Sequence, residues 1–183
     1  MKQARLLVCL LLLVGFFASN AGSGQNNKPP QEKNKPEETN LKEIEWMAYD
    51  VGLQKAKAEE KHVFIDFTAK WCGWCKKMDQ ETFSRPEVIE MINTNFVPVK
   101  VDADSKHELN IDGYKITEKN LTRHEFGVRG FPSYWFLKPD GTKLAKIRGY
   151  QPANYMMEVL AYIKDYKYDS TQTESRGGKK DKP

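Results

Sequence analysis

The chain has 183 residues, of which 39% are hydrophobic and 30% charged, and its formal net charge is +4. This near balance argues against a nucleic-acid binder, which usually carries a concentrated basic face. The length suits one ordinary domain with flanking segments, and three cysteines are too few for a secreted domain stapled by several disulfides.

The first 21 residues have the pattern of a secretory signal. A positive start at Lys2 and Arg5 precedes an apolar run over residues 6–18, which is shorter than the roughly 20 residues of a membrane-spanning helix. Cleavage after Ala21 would remove both positive charges and lower the net charge from +4 to +2. We therefore expect an exported protein, periplasmic or secreted. The alternative is an uncleaved N-terminal anchor.

Two further segments have the composition of disordered chain. Residues 22–40 contain no apolar side chain, and residues 169–183 are polar and end in a run rich in lysine. Neither segment can bury enough apolar surface to fold. The sequence thus predicts a disordered linker at 22–40, a folded domain at 41–168 and a disordered basic tail at 169–183.

Helical and strand patterns alternate within the predicted domain. In chain order they are helix 51–61, strand 63–67, helix 72–91 with a break near Pro86, strand 96–101, helix 117–126 with Thr117 as N-cap, strand 133–137, strand 144–147 and a last helix opened by Pro152. Pro98 weakens the prediction for the second strand. Alternating strands and helices indicate an α/β sandwich, to which the last two strands add an antiparallel edge.

Residues 71–75, Trp-Cys-Gly-Trp-Cys, are the most informative feature of the chain. Two thiols at this spacing, after an apolar strand and at the start of a helix, can close and reopen a small disulfide ring. Unpaired N–H groups and the helix dipole favour a thiolate on Cys72, which we expect to be the partly exposed nucleophile. Cys75, one turn later, is expected to be more buried and to resolve the mixed disulfide.

Two other interpretations of the cysteine pair stay open at this point, an inert disulfide and half of a metal site. A structural zinc site generally needs four protein ligands, and the remaining candidates are His62, His107 and His124. Attachment of a haem is excluded because Lys76 occupies the position of the required histidine. We predict no metal and no cofactor beyond the redox-active disulfide Cys72–Cys75.

Four blocks in a fixed order carry a family resemblance. They are an apolar strand with Asp66 inside it, Trp-Cys-x-x-Cys-Lys at 71–76, Val-Lys-Val-Asp-x-Asp at 99–104 and Phe-Gly-Val-Arg-Gly-Phe-Pro at 126–132. Together they resemble the thioredoxin superfamily over residues 45–166, and most of all exported bacterial thioredoxin-like proteins with a Cys-Gly-Trp-Cys site. The resemblance implies a thioredoxin-like α/β fold, with a central mixed β-sheet flanked by α-helices.

The chain departs from this pattern in two places. Trp74 stands where ordinary thioredoxins have a proline, and this difference affects the redox potential. Residues 106–119 lengthen the link between the second strand and the next helix, and this difference affects the choice of partner. Asp102, Asp104, Glu108 and Asp112 fall in or near this longer link. They lack the spacing of a calcium-binding loop and are interpreted as a solvated segment.

The resemblance also implies roles for two further residues. Asp66 would lie beneath the cysteines, beside Lys100, and accept the proton of the buried thiol. Burial should raise its pKa towards the useful range. The alternative is a carboxylate that points outward from an edge strand. Pro132 would follow Phe131 through a cis bond and face the cysteines, leaving the backbone of Phe131 free to pair with substrate. The alternative is an ordinary trans turn.

Trp71 and Trp74 flank the cysteines and, with Phe131, are predicted to contact substrate. The alternative for Trp71 is partial packing in the core. Trp74 is assigned to the surface because it lies between the two cysteines.

These features predict an exported thiol–disulfide oxidoreductase that reduces disulfides of partner proteins. We expect a monomer that has no stable membrane span once the signal is cleaved, and that takes electrons from a membrane thiol-transfer protein, since cytosolic reductants do not reach an oxidising compartment. One alternative is an oxidase or isomerase of the same fold, which a reduction potential would distinguish. The other is a non-enzymatic module that docks partners or binds copper(I).

Overall fold

A four-stranded sheet organises the computed structural model, which describes residues 43–169. The predicted signal (1–21), the predicted linker (22–40) and all but the first residue of the predicted tail (169–183) lie outside the described residues. The domain limits 41–168 stay a prediction. The strands are β1 (His62–Thr68), β2 (Phe96–Asp102), β3 (Glu108–Ile111), β4 (Tyr114–Thr117), β5 (Ser133–Leu137) and β6 (Lys143–Arg148). The helices are α1 (Tyr49–Glu59), α2 (Gly73–Glu81), α3 (Pro86–Asn95), α4 (Glu118–Asn120) and α5 (Ala153–Lys164), and a π-helical turn covers Leu121–Glu125.

The main sheet is mixed, with strand order β2-β1-β5-β6. Strand β1 runs parallel to β2 and antiparallel to β5, and β5 pairs antiparallel with β6. The predicted mixed sheet and its antiparallel edge are therefore confirmed. Because β1 has a neighbour on each side, Asp66 does not lie on an edge strand, and that alternative is wrong.

Two apolar layers cover the faces of the sheet. On one face, α1 packs against the side chains of Val63, Ile65 and Phe67 from β1. On the other face, α2, α3 and α5 pack around Phe64, which is completely buried. Alternating side chains point to opposite faces of a strand, so Asp66 shares the face of Phe64. The helices thus enclose the one carboxylate of β1 in an apolar layer.

Pro98 fits strand β2 because of its position in the sheet. It lies opposite Phe64 of β1, and its carbonyl accepts a hydrogen bond from Met47 N at 3.1 Å on the outer side. The ring nitrogen faces the same outer side as the carbonyl, so the missing N–H costs no bond to β1. The strand predicted at 96–101 is confirmed despite the proline.

The longer link at 106–119 forms a β-hairpin, which the prediction of a solvated segment missed. Strands β3 and β4 pair antiparallel, and a two-residue turn at Asp112 (φ 50°) and Gly113 (φ 93°) joins them. An Asp-Gly pair between short strands is typical of such turns, because both positions need positive φ. The helix expected at 117–126 begins as predicted, with Thr117 Oγ1 accepting from Asn120 N, but it continues as the π-helical turn.

Within residues 43–169, none of the helices is both long enough and apolar enough to span a membrane.

Substituting Gly52 with alanine is expected to destabilise the domain. A Cβ at this position of α1 would lie 2.3 Å from Cγ2 of Val99, which is completely buried in β2. Overpacking of this kind costs about 1–3 kcal/mol, and the better helix propensity of alanine returns at most about 1 kcal/mol. Urea unfolding should therefore show a lower free energy of unfolding.

Gly73→Ala is the matched control for this stability measurement, since a Cβ there would meet nothing within 4 Å. Its free energy of unfolding should equal or slightly exceed that of the wild type. An equal loss in both variants would contradict the packing argument.

Candidate active site

The cysteine pair lies where the central strand gives way to a helix. Cys72 is the N-cap of α2, and its Sγ accepts a hydrogen bond from the backbone N–H of Cys75 at 3.0 Å. The two sulfurs form a disulfide with an S–S distance of 2.07 Å. Spacing and local structure therefore agree with the sequence prediction of a closed ring at a helix N-terminus.

The predicted difference in exposure between the two cysteines is wrong for this disulfide-bonded form. Cys72 and Cys75 are each only 4% exposed. They pack with Ala69 and Ala103, and the half-buried ring of Phe131 covers this cluster. The position of Cys72 at the start of a helix does not predict its burial, because Ala103 and Phe131, which bury it, come from two loops distant in the sequence.

Asp66 is a buried carboxylate with an incomplete set of partners. It is 2% exposed, its Oδ2 lies 3.5 Å from Nζ of Lys100, and its Oδ1 has no hydrogen-bond partner within residues 43–169. Burial raises the pKa of Asp66 to about 7, against a lowering effect of Lys100 and with a further raising effect of Asp79. A carboxyl with this pKa can both accept and return a proton near neutral pH.

Lys100 connects the buried carboxyl to the cysteine side of the molecule. Its Nζ also lies 2.8 Å from Oδ1 of Asp79, and it lines an open cleft of ≈ 430 Å³ together with Cys75 and Glu118. The cleft therefore places Cys75, the ammonium of Lys100 and three carboxylates, those of Asp79, Asp102 and Glu118, around one opening.

Sequence reasoning missed Asp79 and Glu118. Asp79 follows Cys75 by four residues, a spacing that puts both on one face of a helix and would have identified it. Glu118 is the first residue of α4, directly after the predicted N-cap Thr117. The helix start was predicted, but no local pattern indicated that this residue lies at the same cleft as Cys75.

Substituting Lys100 with methionine is expected to raise the pKa of Asp66 above 7. The ammonium is the main group that favours the ionised carboxylate, so its removal leaves burial unopposed. The carboxyl signal of Asp66, followed by NMR during a pH titration, measures the change.

Lys70→Met is the matched control for this titration. Lys70 lines the same cleft but pairs with Asp102, at 3.9 Å, and not with Asp66. An equal shift in both variants would show that the total charge of the cleft, rather than the contact of Lys100, sets the pKa of Asp66.

Both tryptophans lie on the surface. Trp71 is 69% exposed and Trp74 58%, so core packing of Trp71 is wrong. The Trp71 ring meets Phe131 edge to face at 5.7 Å, and its Nε1 donates to Oδ2 of Asp104 at 2.6 Å. The Trp74 ring lies 5.9 Å from that of Tyr150. The two exposed rings thus stand on the surface next to the buried disulfide, and their contact with substrate stays a prediction.

The bond between Phe131 and Pro132 is cis, as the resemblance implies. Pro132 directly precedes β5, and its carbonyl accepts a hydrogen bond from Gly149 N at 2.9 Å. Phe131 belongs to the cover of the disulfide, so this loop adjoins the cysteines.

In the described part of the chain, no three His, Cys, Asp or Glu side chains are arranged to hold a metal ion.

Known proteins with a thioredoxin-like domain are similar to this chain in sequence. The sequence model of the thioredoxin-like domain family matches residues 49–164. The chain is 28% identical over 165 residues to the disulfide bond reductase DsbH of Chlamydia pneumoniae, an alignment that covers 85% of this chain and 92% of that protein. It is 30% identical over 107 residues to the thiol:disulfide interchange protein DsbD of Campylobacter jejuni (strain RM1221), covering 58% of this chain but only 17% of that longer protein.

Two solved structures have a similar fold. A thioredoxin from Thermus thermophilus has a TM-score of 0.55 at 23% identity, covering 66% of this chain and 87% of its own. A DsbH oxidoreductase also has a TM-score of 0.55 at 23% identity, covering 78% of this chain and 95% of its own. At these identities the two structures support the fold alone.

Proposed function

The chain belongs to the thioredoxin-like family, and from this premise we propose that it reduces disulfides of partner proteins through Cys72 and Cys75. Thioredoxin-like oxidoreductases use a redox-active cysteine pair and no further cofactor. The observation that carries the proposal is the Cys72–Cys75 disulfide at a helix N-terminus, beside a cleft that reaches the ion pair of Lys100 with buried Asp66.

The reaction begins with the reduced pair. The thiolate of Cys72 attacks one sulfur of the partner's disulfide, so that a mixed disulfide forms and the partner's other sulfur leaves as a thiolate. The thiol of Cys75 then gives its proton to the carboxylate of Asp66 and attacks Sγ of Cys72. The Cys72–Cys75 disulfide reforms, and the partner leaves with two thiols and the two electrons of the pair.

Two features support reduction rather than oxidation of the partner. Strong oxidants have a stabilised reduced form, in which a cation helps to hold the thiolate. Here Gly73 and Trp74, between the cysteines, carry no charge, and the nearby Lys70 lies 3.9 Å from a carboxylate oxygen of Asp102. The relative from Chlamydia pneumoniae, which this chain matches over 92% of its length, is named a disulfide bond reductase.

The equilibrium reduction potential against glutathione tests the direction of electron flow. Thioredoxin lies at roughly −270 mV and a strong periplasmic oxidant at about −120 mV. We expect a value near the first. A value near the second would make the protein a disulfide donor, and failure to form the disulfide would favour a metal-binding module, which a copper(I) titration would then test.

The site of action proposed here is an oxidising compartment outside the cytosol. The predicted signal at 1–21 supports export, and an exported reductase needs a membrane thiol-transfer protein as its source of electrons. We propose that the protein works there as a monomer on disulfide-containing proteins. Cell fractionation would test export, and recovery of the protein only in the cytosol would contradict it.

A further inference from the structure

We infer that the protein prefers substrates with an acidic side chain close to the reactive cysteine, and that Arg129 and Arg148 bind this side chain. The inference rests on the proposed function, since it names the class of substrate that the Cys72–Cys75 site accepts. It depends on a second cleft, distinct from the one that Cys75 lines.

This second cleft adjoins the disulfide. It has a volume of ≈ 350 Å³ and is lined by Arg129, Gly130, Phe131, Pro132, Arg148 and Gly149. Phe131 is shared, because the same ring packs against the cluster of the two cysteines. A substrate whose sulfur reaches Cys72 therefore has its neighbouring residues close to this cleft.

The two arginines reach the cleft from separate parts of the fold. Arg148 ends β6 and lies opposite Ser133, the residue that follows Pro132. The hydrogen bond from Gly149 N to the carbonyl of Pro132 holds the two segments together. Arg129 precedes Pro132 by three residues in the loop before β5. The pairing of β5 with β6 thus fixes Arg148 beside the Pro132 segment, and the loop before β5 brings Arg129 to the same cleft.

Within the described residues, neither arginine side chain has an ion-pair partner. Both side chains are exposed, and within residues 43–169 neither forms an ion pair or lies over an aromatic ring, whereas the ion pairs of that region use lysine. A guanidinium is always charged and binds a carboxylate through two parallel N–H···O bonds. Two such groups at one cleft favour an anionic side chain.

Within residues 43–169, no acidic side chain lines this second cleft. Asp104 accepts the hydrogen bond of Trp71 Nε1, and Glu81 accepts that of the Tyr150 hydroxyl at 2.7 Å, with Lys77 3.8 Å away. Both carboxylates are occupied by groups that do not line the second cleft. The positive charge beside Pro132 is therefore available to a substrate.

Matched peptide disulfides test the preference with the reduced full chain. The two peptides differ only in carrying Glu or Lys at the positions that flank the cysteine, and the rate constant of their reduction is measured at low salt. We expect the Glu peptide to react about tenfold faster, and the difference to shrink at high salt. Arg148→Glu and, separately, Arg129→Glu should remove or reverse the preference, while Arg123→Glu, an exposed arginine outside the cleft, should leave it unchanged.

Equal rates for the two wild-type reactions, or an unchanged preference in both cleft variants, would overturn the inference. Binding of the same peptides with serine in place of cysteine is the second measurement. It is followed by the intrinsic tryptophan fluorescence, to which the exposed Trp71 and Trp74 contribute. If neither peptide disulfide is reduced, the reductase proposal fails, and the binding data decide the inference alone. Tighter binding of the Glu peptide sustains it, and equal binding overturns it.

Discussion

Replacing Cys72 with serine is expected to reduce disulfide reductase activity to the background of the assay. The thiolate is the attacking species in disulfide exchange, and a serine hydroxyl stays protonated near neutral pH and forms no S–S bond. Reduction of insulin by dithiothreitol, followed by turbidity, measures the loss. Full activity of the variant would refute the assignment of Cys72 as nucleophile.

Cys75→Ser is the matched control for this loss, because it removes the second thiol and leaves the first. Attack by Cys72 should still occur, but the mixed disulfide then has no resolving thiol and should accumulate with the partner protein. Mass spectrometry of a non-reduced reaction would detect a covalent adduct in Cys75→Ser and none in Cys72→Ser. The opposite pattern would exchange the two roles.

The part of the fold that the sequence predicts well is the part with simple periodicity. Strand β5 matches its predicted range of 133–137, and α5 begins directly after Pro152 as expected. The motifs lie at the ends of these regular elements: Cys72 after β1 and Pro132 before β5. Because β1 and β5 pair antiparallel, the end of β1 lies beside the start of β5. The two motifs therefore meet at the same end of the central strands, which is why the candidate site was predictable.

The remainder depends on contacts between distant segments. The short hairpin β3–β4 has strands of four residues each, too brief for a clear alternation, so its Asp-Gly turn was the only available signal. The burial of Cys72 comes from Ala103 and Phe131. Arg129 and Arg148 line one cleft because the register of β5 and β6 places Arg148 opposite Ser133, close to the loop that carries Arg129. No local pattern encodes such neighbours.

Replacing Asp66 with asparagine is expected to stabilise the protein at neutral and alkaline pH. The pKa of Asp66 is about 7 in the folded protein and 3.8 as the reference for an unfolded chain. Between these values the unfolded chain ionises while the folded protein stays protonated, so stability falls as the pH rises from about 4 to about 7. Above pH 7 the folded protein carries a penalty of about 4 kcal/mol, which the neutral amide removes.

The same substitution should cost activity, because asparagine cannot accept the proton of Cys75. General-base catalysis contributes roughly 10²–10⁴-fold, so the resolving step should slow by at least about a hundredfold above pH 7, and the mixed disulfide should accumulate. In the wild type this step should slow as the pH falls below 7, where Asp66 is protonated. Urea unfolding and single-turnover kinetics across pH 4–9 measure both effects on one pair of proteins.

Asp79→Asn separates a role of Asp66 itself from a general effect of negative charge. Asp79 is an exposed carboxylate that binds the same Lys100 and raises the pKa of Asp66, so its removal should shift the pH profile downward without the large loss of rate. If the free energy of unfolding of Asp66→Asn still fell with rising pH as it does in the wild type, a group other than Asp66 would be responsible for the fall. If the resolving step were equally fast in Asp66→Asn and in the wild type, the proton of Cys75 would leave by another path. The buried carboxyl of Asp66 would then have no part in the exchange reaction.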